Sequence, residues 1–216
     1  MAEIKFCGMT RREDIAAAKE LGADYVGVIF AGGPRHQTIE SAAALLRDAD
    51  PIRRVAVIAG QTPAEIAALV SRLGLFAVQL HADPTPQRIR DVTSSTEAEV
   101  WAVVRIENGK LPDNAPEIAS LADAVVLDAK VAGGLGGTGV TLPWVELSNQ
   151  LDSLRETKVV LAGGLRAENV GEAIATIGPD VVDVSSGVES APGIKDHSRM
   201  RAFRDAVRKA EMSIKR

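Results

Sequence analysis

The chain has 216 residues, 46% hydrophobic and 25% charged, which suits one large apolar core and is too short for two ordinary domains plus a linker. Its formal net charge of -4 gives no general attraction to nucleic acid or to an anionic membrane. Cys7 is the single cysteine, so an internal disulfide is excluded; no apolar run reaches the ~18 residues of a membrane helix, the start MAEIKFCGMT carries no signal core, and a cytoplasmic protein acting on small molecules is expected.

Along the chain, short apolar runs alternate eight times with longer stretches of helical period. The first strand is expected at Glu3–Cys7, followed by Thr10-Arg11-Arg12-Glu13, which has capping-box spacing, and by a helix stop at Leu21-Gly22. Strands are next expected at Asp24–Phe30 and Arg54–Ala59. A second capping box, Thr62-Pro63-Ala64-Glu65, places Pro63 at the first helical position, where a missing N–H costs nothing, and Leu73-Gly74 stops that helix. The remaining strands are expected at Phe76–His81, Glu99–Arg105, Ala124–Asp128, Lys158–Ala162 and Asp180–Ser185, with a last helix from about Asp196 to Met212. These runs are rich in Val, Ile and Ala, as strands buried on both faces are.

This alternation fits an open doubly wound sheet or a closed barrel. A repeat of roughly 25–30 residues kept up to the C-terminus favours closure. Cys-Gly-Met-Thr stands after the first strand where a dinucleotide fold wants G-x-G-x-x-G. The expected fold is α/β, a (β/α)8 TIM barrel in a single domain spanning 1–216.

In such a barrel the active site is built at the C-terminal strand ends. The polar residues there are Cys7, Arg35, Gln79 with His81, Arg105, Asp128, Gly163-Gly164, and Asp183 with Ser185 and Ser186. Side chains alternate along a strand, so Ile4 and Phe6 share one face while Lys5 and Cys7 point into the barrel; Asp183 and Ser185 likewise share a face. The first and eighth strands become neighbours on closure, which leads to an expected Lys5–Asp183 pair, with the alternative that either reaches solvent at a strand end. Gly163-Gly164 and Ser185-Ser186-Gly187 lie where barrels build phosphate sites, because glycine lets backbone N–H groups approach an anion.

A lone cysteine is ordinarily a small buried hydrophobe, but the place of Cys7 at a strand's functional end, before Gly8, points to a base. An ordinary thiol is only about 3% ionised at pH 7, so a lowered pKa is expected, with Lys5, Arg35 or a helix end as its cause. Asp128 is followed by the glycine-rich run Gly133–Gly139, suited to a mobile cover; a shielded carboxyl there holds a proton to donate. His36, His81 and His197 lack metal-ligand spacing, and no metal is required. His81 is either a core histidine or a substrate contact, and Arg105 either an ion-pair partner or an anion ligand.

Taken together, Lys5-Phe6-Cys7-Gly8-Met9-Thr10, Gly22-Ala23-Asp24-Tyr25-Val26-Gly27, Val78-Gln79-Leu80-His81, Leu127-Asp128-Ala129, Gly136-Gly137-Thr138-Gly139, Leu161-Ala162-Gly163-Gly164-Leu165, Asp183-Val184-Ser185-Ser186-Gly187-Val188-Glu189 and Pro192-Gly193-Ile194-Lys195-Asp196 form an ordered set. The sequence so read resembles phosphoribosylanthranilate isomerase, an enzyme of tryptophan biosynthesis that performs an Amadori rearrangement. The resemblance implies Cys7 as general base, Asp128 as general acid, Arg35 on the substrate carboxylate, and phosphate binding around Gly163-Gly164 and Ser185-Ser186-Gly187. It implies a small phosphorylated sugar as substrate and no metal or organic cofactor. His81 and Asp183 complete the expected binding set.

Three departures stand out: Ala31-Gly32-Gly33 before Pro34-Arg35 in place of Pro-x-Ser, Ala82 in place of glycine, and Leu142-Pro143-Trp144 in place of Phe-Asp-Trp. Two alternatives remain. A histidine-pathway or dual-substrate phosphoribosyl isomerase would carry aspartate where Cys7 stands, and a noncatalytic phosphate-ligand-binding barrel would not need Cys7 with Asp128. The outer helices carry no long apolar stripe, so a monomer is expected.

Overall fold

The structure is a computed structural model that describes residues 1–129, 143–154 and 156–214. Eight parallel strands pair in sequence order and close on themselves: β1 (Glu3–Phe6), β2 (Tyr25–Ile29), β3 (Arg53–Ile58), β4 (Ala77–Leu80), β5 (Glu99–Ile106), β6 (Ala124–Ala129), β7 (Lys158–Leu161) and β8 (Val181–Val184). Around them run α1 (Arg12–Glu20), α2 (Ile39–Leu46), α3 (Pro63–Leu73), α4 (Pro86–Thr93), α5 (Ala115–Leu121), α6 (Trp144–Ser148), α7 (Val170–Ile177) and α8 (His197–Ile214). A small antiparallel hairpin, β9 (Glu189–Ala191) and β10 (Ile194–Lys195), separates β8 from α8.

Alternation along each strand sorts the apolar residues into two layers. Ile4, Phe6, Val26 and Val28 face outward into the helix layer, while Tyr25, Val55, Trp101, Val126 and Val181 fill the barrel. Each such buried side chain is worth about 1.5–3 kcal/mol of burial. Tyr25 and Trp101 meet edge-on at 5.1 Å at the N-terminal end, and their polar atoms are satisfied by Glu3 and Glu99, both at 2.7 Å. The interior then turns polar: Lys5, Gln79 and Asp183 form a buried layer above this plug. That gradient leaves the C-terminal rim as the place for chemistry.

Asp24, Asp123 and Asp180 each stand just before a strand, outside the ladder. Their carboxylates accept the backbone N–H groups of Ile4, Val100 and Val159 at 2.8–2.9 Å, satisfying donors that the barrel would otherwise strand at its N-terminal end. β1, β2, β4, β7 and β8 are shorter by a residue or two than the apolar runs suggest, whereas β3 is displaced by one residue and β5 and β6 each run one residue further.

The Thr62 capping box forms as expected, and Gly74 ends α3 in the left-handed conformation with φ 58°. The Thr10 box does not form. Arg11 stands at the N-cap of α1 without a side-chain cap bond, and the Thr10 hydroxyl instead donates to the Gly193 carbonyl of the β9–β10 turn. A tertiary acceptor here wins over the local one. The glycine-rich run 133–139 lies outside the described residues.

Candidate active site

Cys7 follows β1 directly, its backbone N–H held by the Val184 carbonyl at 2.9 Å, so the thiol sits over the mouth of the barrel beside β8. Asp128 closes the inward face of β6. These two groups line one cavity of about 80 Å³ with His81, Gly163, Gly164, Asp183, Ser185, Ser186 and Gly187. Arg35 is the exception among the expected residues. It does not line this cavity but packs over Gly8, and Glu189 grips its guanidinium through two bonds of 2.8 and 2.6 Å.

The expected Lys5–Asp183 pair exists inside the barrel. Lys5 Nζ donates to Asp183 Oδ2 at 2.7 Å and to Gln79 Oε1 at 3.0 Å, with no solvent exposure. Burial alone would lower the Lys5 pKa, but the charges of Asp183 and Cys7 outweigh it and hold the ammonium above its ordinary value. Asp183 Oδ1 and Ser185 Oγ are buried against the cavity without a hydrogen-bond partner among the described residues. Two buried polar atoms of this kind favour a polar ligand between them.

Electrostatics separate the two reactive groups in one respect and unite them in another. Burial pushes the Asp128 carboxyl above its usual range, against the pull of Arg105, whose Nη1 donates to Oδ2 at 2.8 Å. A carboxyl so placed keeps its proton to higher pH than an exposed one, which suits a general acid. Burial pushes the Cys7 thiol up as well, with Lys5 and Lys195 pulling down and Asp183 pushing further up. This corrects the expectation of a lowered thiol: the cations are present, but desolvation of a fully enclosed sulfur dominates them.

Glycines shape the site at two close approaches. A Cβ on Gly27 of β2 would fall 2.8 Å from Cys7 Sγ, and one on Gly187 would fall 1.9 Å from the Leu165 carbonyl oxygen. Gly163 and Gly164, with φ of 85° and 63°, hold the turn after β7 in a conformation that other residues rarely adopt.

Arg105 proves to be an ion-pair partner: besides Asp128 it donates to the His81 carbonyl at 2.9 Å and contacts Asp83 at 3.4 Å. Several functional positions carry no local sign in the sequence. Gly27, Glu189 and Lys195 sit inside the motifs quoted above, but only the closed barrel brings them to Cys7. Among the described residues no group of three or more His, Cys, Asp or Glu is placed to hold a metal ion, and no helix is long and apolar enough to cross a membrane.

A family model of N-(5'phosphoribosyl)anthranilate (PRA) isomerase matches residues 4–206. The chain belongs to the PRA isomerase family. Among its relatives, the N-(5'-phosphoribosyl)anthranilate isomerase of Halorubrum lacusprofundi is 40% identical over 207 residues, covering 94% of this chain and 95% of that one. The PRA isomerase of Erythrobacter litoralis is 35% identical, with 97% and 100% covered. In three dimensions the phosphoribosyl anthranilate isomerase of Thermotoga maritima superposes with a TM-score of 0.87 at 32% identity, covering 97% of this chain and 100% of that one. A second PRA isomerase structure, in complex with reduced 1-(o-carboxyphenylamino)-1-deoxyribulose 5-phosphate, has a TM-score of 0.84 at 31% identity over 97% and 100% of the two chains.

Proposed function

We propose that this chain isomerises N-(5-phosphoribosyl)anthranilate to 1-(2-carboxyphenylamino)-1-deoxyribulose 5-phosphate in tryptophan biosynthesis, with Asp128 as general acid and Cys7 as general base. The observation that carries this reading is the shared cavity: a carboxyl whose pKa burial raises and the only thiol of the chain flank the Gly163-Gly164 and Ser185–Gly187 turns. Membership of the PRA isomerase family and the product-analogue complex of a relative agree with it.

The phosphate is taken by the backbone of the two turns, with the Ser185 hydroxyl as a further donor. Protonated Asp128 gives its proton to the ribose ring oxygen as the substrate nitrogen's lone pair opens the ring to a Schiff base. The Cys7 thiolate then removes the C2 proton; the C2–H electron pair forms the C1=C2 bond as the C1=N π pair moves onto nitrogen, giving an enolamine. Ketonisation at C2 with protonation at C1 completes an isomerisation that consumes no net proton. The substrate's own nitrogen is the electron sink, so the residues on hand suffice. Arg35 takes the anthranilate carboxylate after exchanging part of its bond to Glu189.

The test is the fluorescence change on substrate consumption by purified protein, run beside the histidine-pathway aminoimidazole substrate. Consumption of the anthranilate compound alone is expected. Cys7→Ala and Asp128→Ala are expected to fold and to lose at least ~10²-fold in turnover. Wild-type rates in either variant would sink the assignment.

A further inference from the structure

A second charged cluster lies directly beneath Cys7, and the chemistry above makes no use of it. Lys195 on β10 is 2% exposed and Glu189 on β9 is 6% exposed, both far from β1 in sequence, and Lys195 is packed against its end. The Lys195 ammonium spends all three of its protons: on the Cys7 carbonyl at 2.5 Å, the Ser185 carbonyl at 3.1 Å and Glu189 Oε1 at 2.8 Å. The same carboxylate holds Arg35 on its other side. Two basic side chains therefore share one carboxylate; burial lowers the Lys195 pKa while Glu189 supports its ammonium form, and with that ammonium in place the unit carries a net positive charge next to the only thiol of the chain.

The two carbonyls that Lys195 joins belong to the residue expected to act as base and to the first residue of the phosphate turn. They lie on strands at opposite ends of the chain. An ammonium bridging them fixes their separation, and its excess charge favours an anion at Sγ over a neutral thiol. We propose that Lys195, oriented by Glu189, is a positioning residue that locks the base to the phosphate turn and stabilises the thiolate form of Cys7. This deepens the function proposed above and rests on it. The charged groups facing Cys7 are Lys5 on β1, Asp183 on β8, Lys195 on β10 and Arg35 after β2, with Asp128 and His81 across the cavity. Asp183 is already committed to Lys5, whereas Lys195 has to share its carboxylate, Glu189, with Arg35.

Because the chain has one cysteine, the pH dependence of its alkylation by iodoacetamide reports Cys7 alone. Lys195→Met is expected to move the alkylation midpoint up by about one pH unit, the scale of a single nearby charge, and to lower kcat/KM about tenfold. Lys195→Arg, which keeps the charge, is expected to restore most of the midpoint. Lys195→Gln, which keeps hydrogen-bond donors without charge, serves where the methionine variant does not fold, and the same upward shift is expected. Folded variants with the wild-type midpoint and turnover overturn the proposal, as does failure of both neutral variants to fold, which would make the ammonium a folding element alone. A wild-type protein inactive on the anthranilate substrate would sink the proposed function, while the alkylation series still decides the role of Lys195.

Discussion

Gly27→Ala is the sharpest perturbation the geometry offers, because it adds one methyl group at a known distance from the thiol. Gly27 has no positive φ, so alanine can adopt its backbone without strain and any effect comes from contact. The new Cβ would lie 2.8 Å from Cys7 Sγ, 3.2 Å from its Cα and 3.3 Å from its Cβ. Ordinary heavy-atom contact is about 3.5–4.0 Å, so the sulfur has to move by about 1 Å and the end of β1 by a few tenths. Overpacking of this kind costs about 1–3 kcal/mol of stability. A displacement of about 1 Å at a reacting group costs about 10²-fold in rate, equivalent to about 2.7 kcal/mol. Steady-state kinetics and urea unfolding of Gly27→Ala measure both quantities. In a Cys7→Ala background the sulfur is gone, so the same substitution is expected to cost about 1 kcal/mol less stability, a coupling that a double-mutant cycle resolves. Wild-type turnover with unchanged stability would refute the placement of the thiol against β2.

Further expectations concern protonation and the phosphate turn. The kcat/KM profile is expected to stay level between an acid limb above the ordinary carboxyl value, from Asp128, and an alkaline limb above the ordinary thiol value, from Cys7, because loss of protonated acid with rising pH is matched by gain of thiolate. An alkaline limb at or below the ordinary thiol value would contradict the burial of Cys7. Asp128→Asn is expected to be inactive yet at least as stable as wild type at neutral pH. A carboxyl whose folded pKa is raised loses native stability as pH climbs through that value, so removing its ionisation recovers that loss, and the difference disappears below the unfolded-state carboxyl pKa. Denaturant melts of the pair at neutral and acidic pH check the sign, and a clear stability loss in the variant would overturn it. Gly187→Ala puts a Cβ 1.9 Å from a backbone oxygen and is expected to raise KM at least tenfold and to weaken inhibition by inorganic phosphate in parallel; unchanged inhibition would remove the turn from phosphate binding.

Much of this was legible in the chain because parallel strands buried on both faces leave runs of Val, Ile and Ala that few other elements produce. Parity along Lys5-Phe6-Cys7 and Val182-Asp183-Val184 was enough to place Lys5 against Asp183, since closure puts those strands in register at the two residues. The β9–β10 hairpin was not legible: its strands are three and two residues long, too short for a period-2 pattern, and only the Pro192-Gly193 turn, with Gly193 at φ 81°, marks it. Lys195 and Glu189 were missed for the same reason, since their partners lie up to 188 positions away along the chain. The direction of the Cys7 shift failed because neighbouring cations can be guessed from sequence, whereas the desolvation of one sulfur depends on how completely the mouth of the barrel encloses it.

The seam where the last strand meets the first has a consequence for how the molecule comes to work. Cys7 hangs from β8 by its own amide, and its carbonyl is claimed by a lysine that the chain supplies later still. A partially assembled cylinder with seven staves would own the acid and the Gly163-Gly164 turn but neither the anchored thiol nor the Ser185–Gly187 half of the anion site. Turnover during refolding should therefore lag behind helix content and rise only as the seam zips shut, so that enzymatic activity serves as a clock for ring closure.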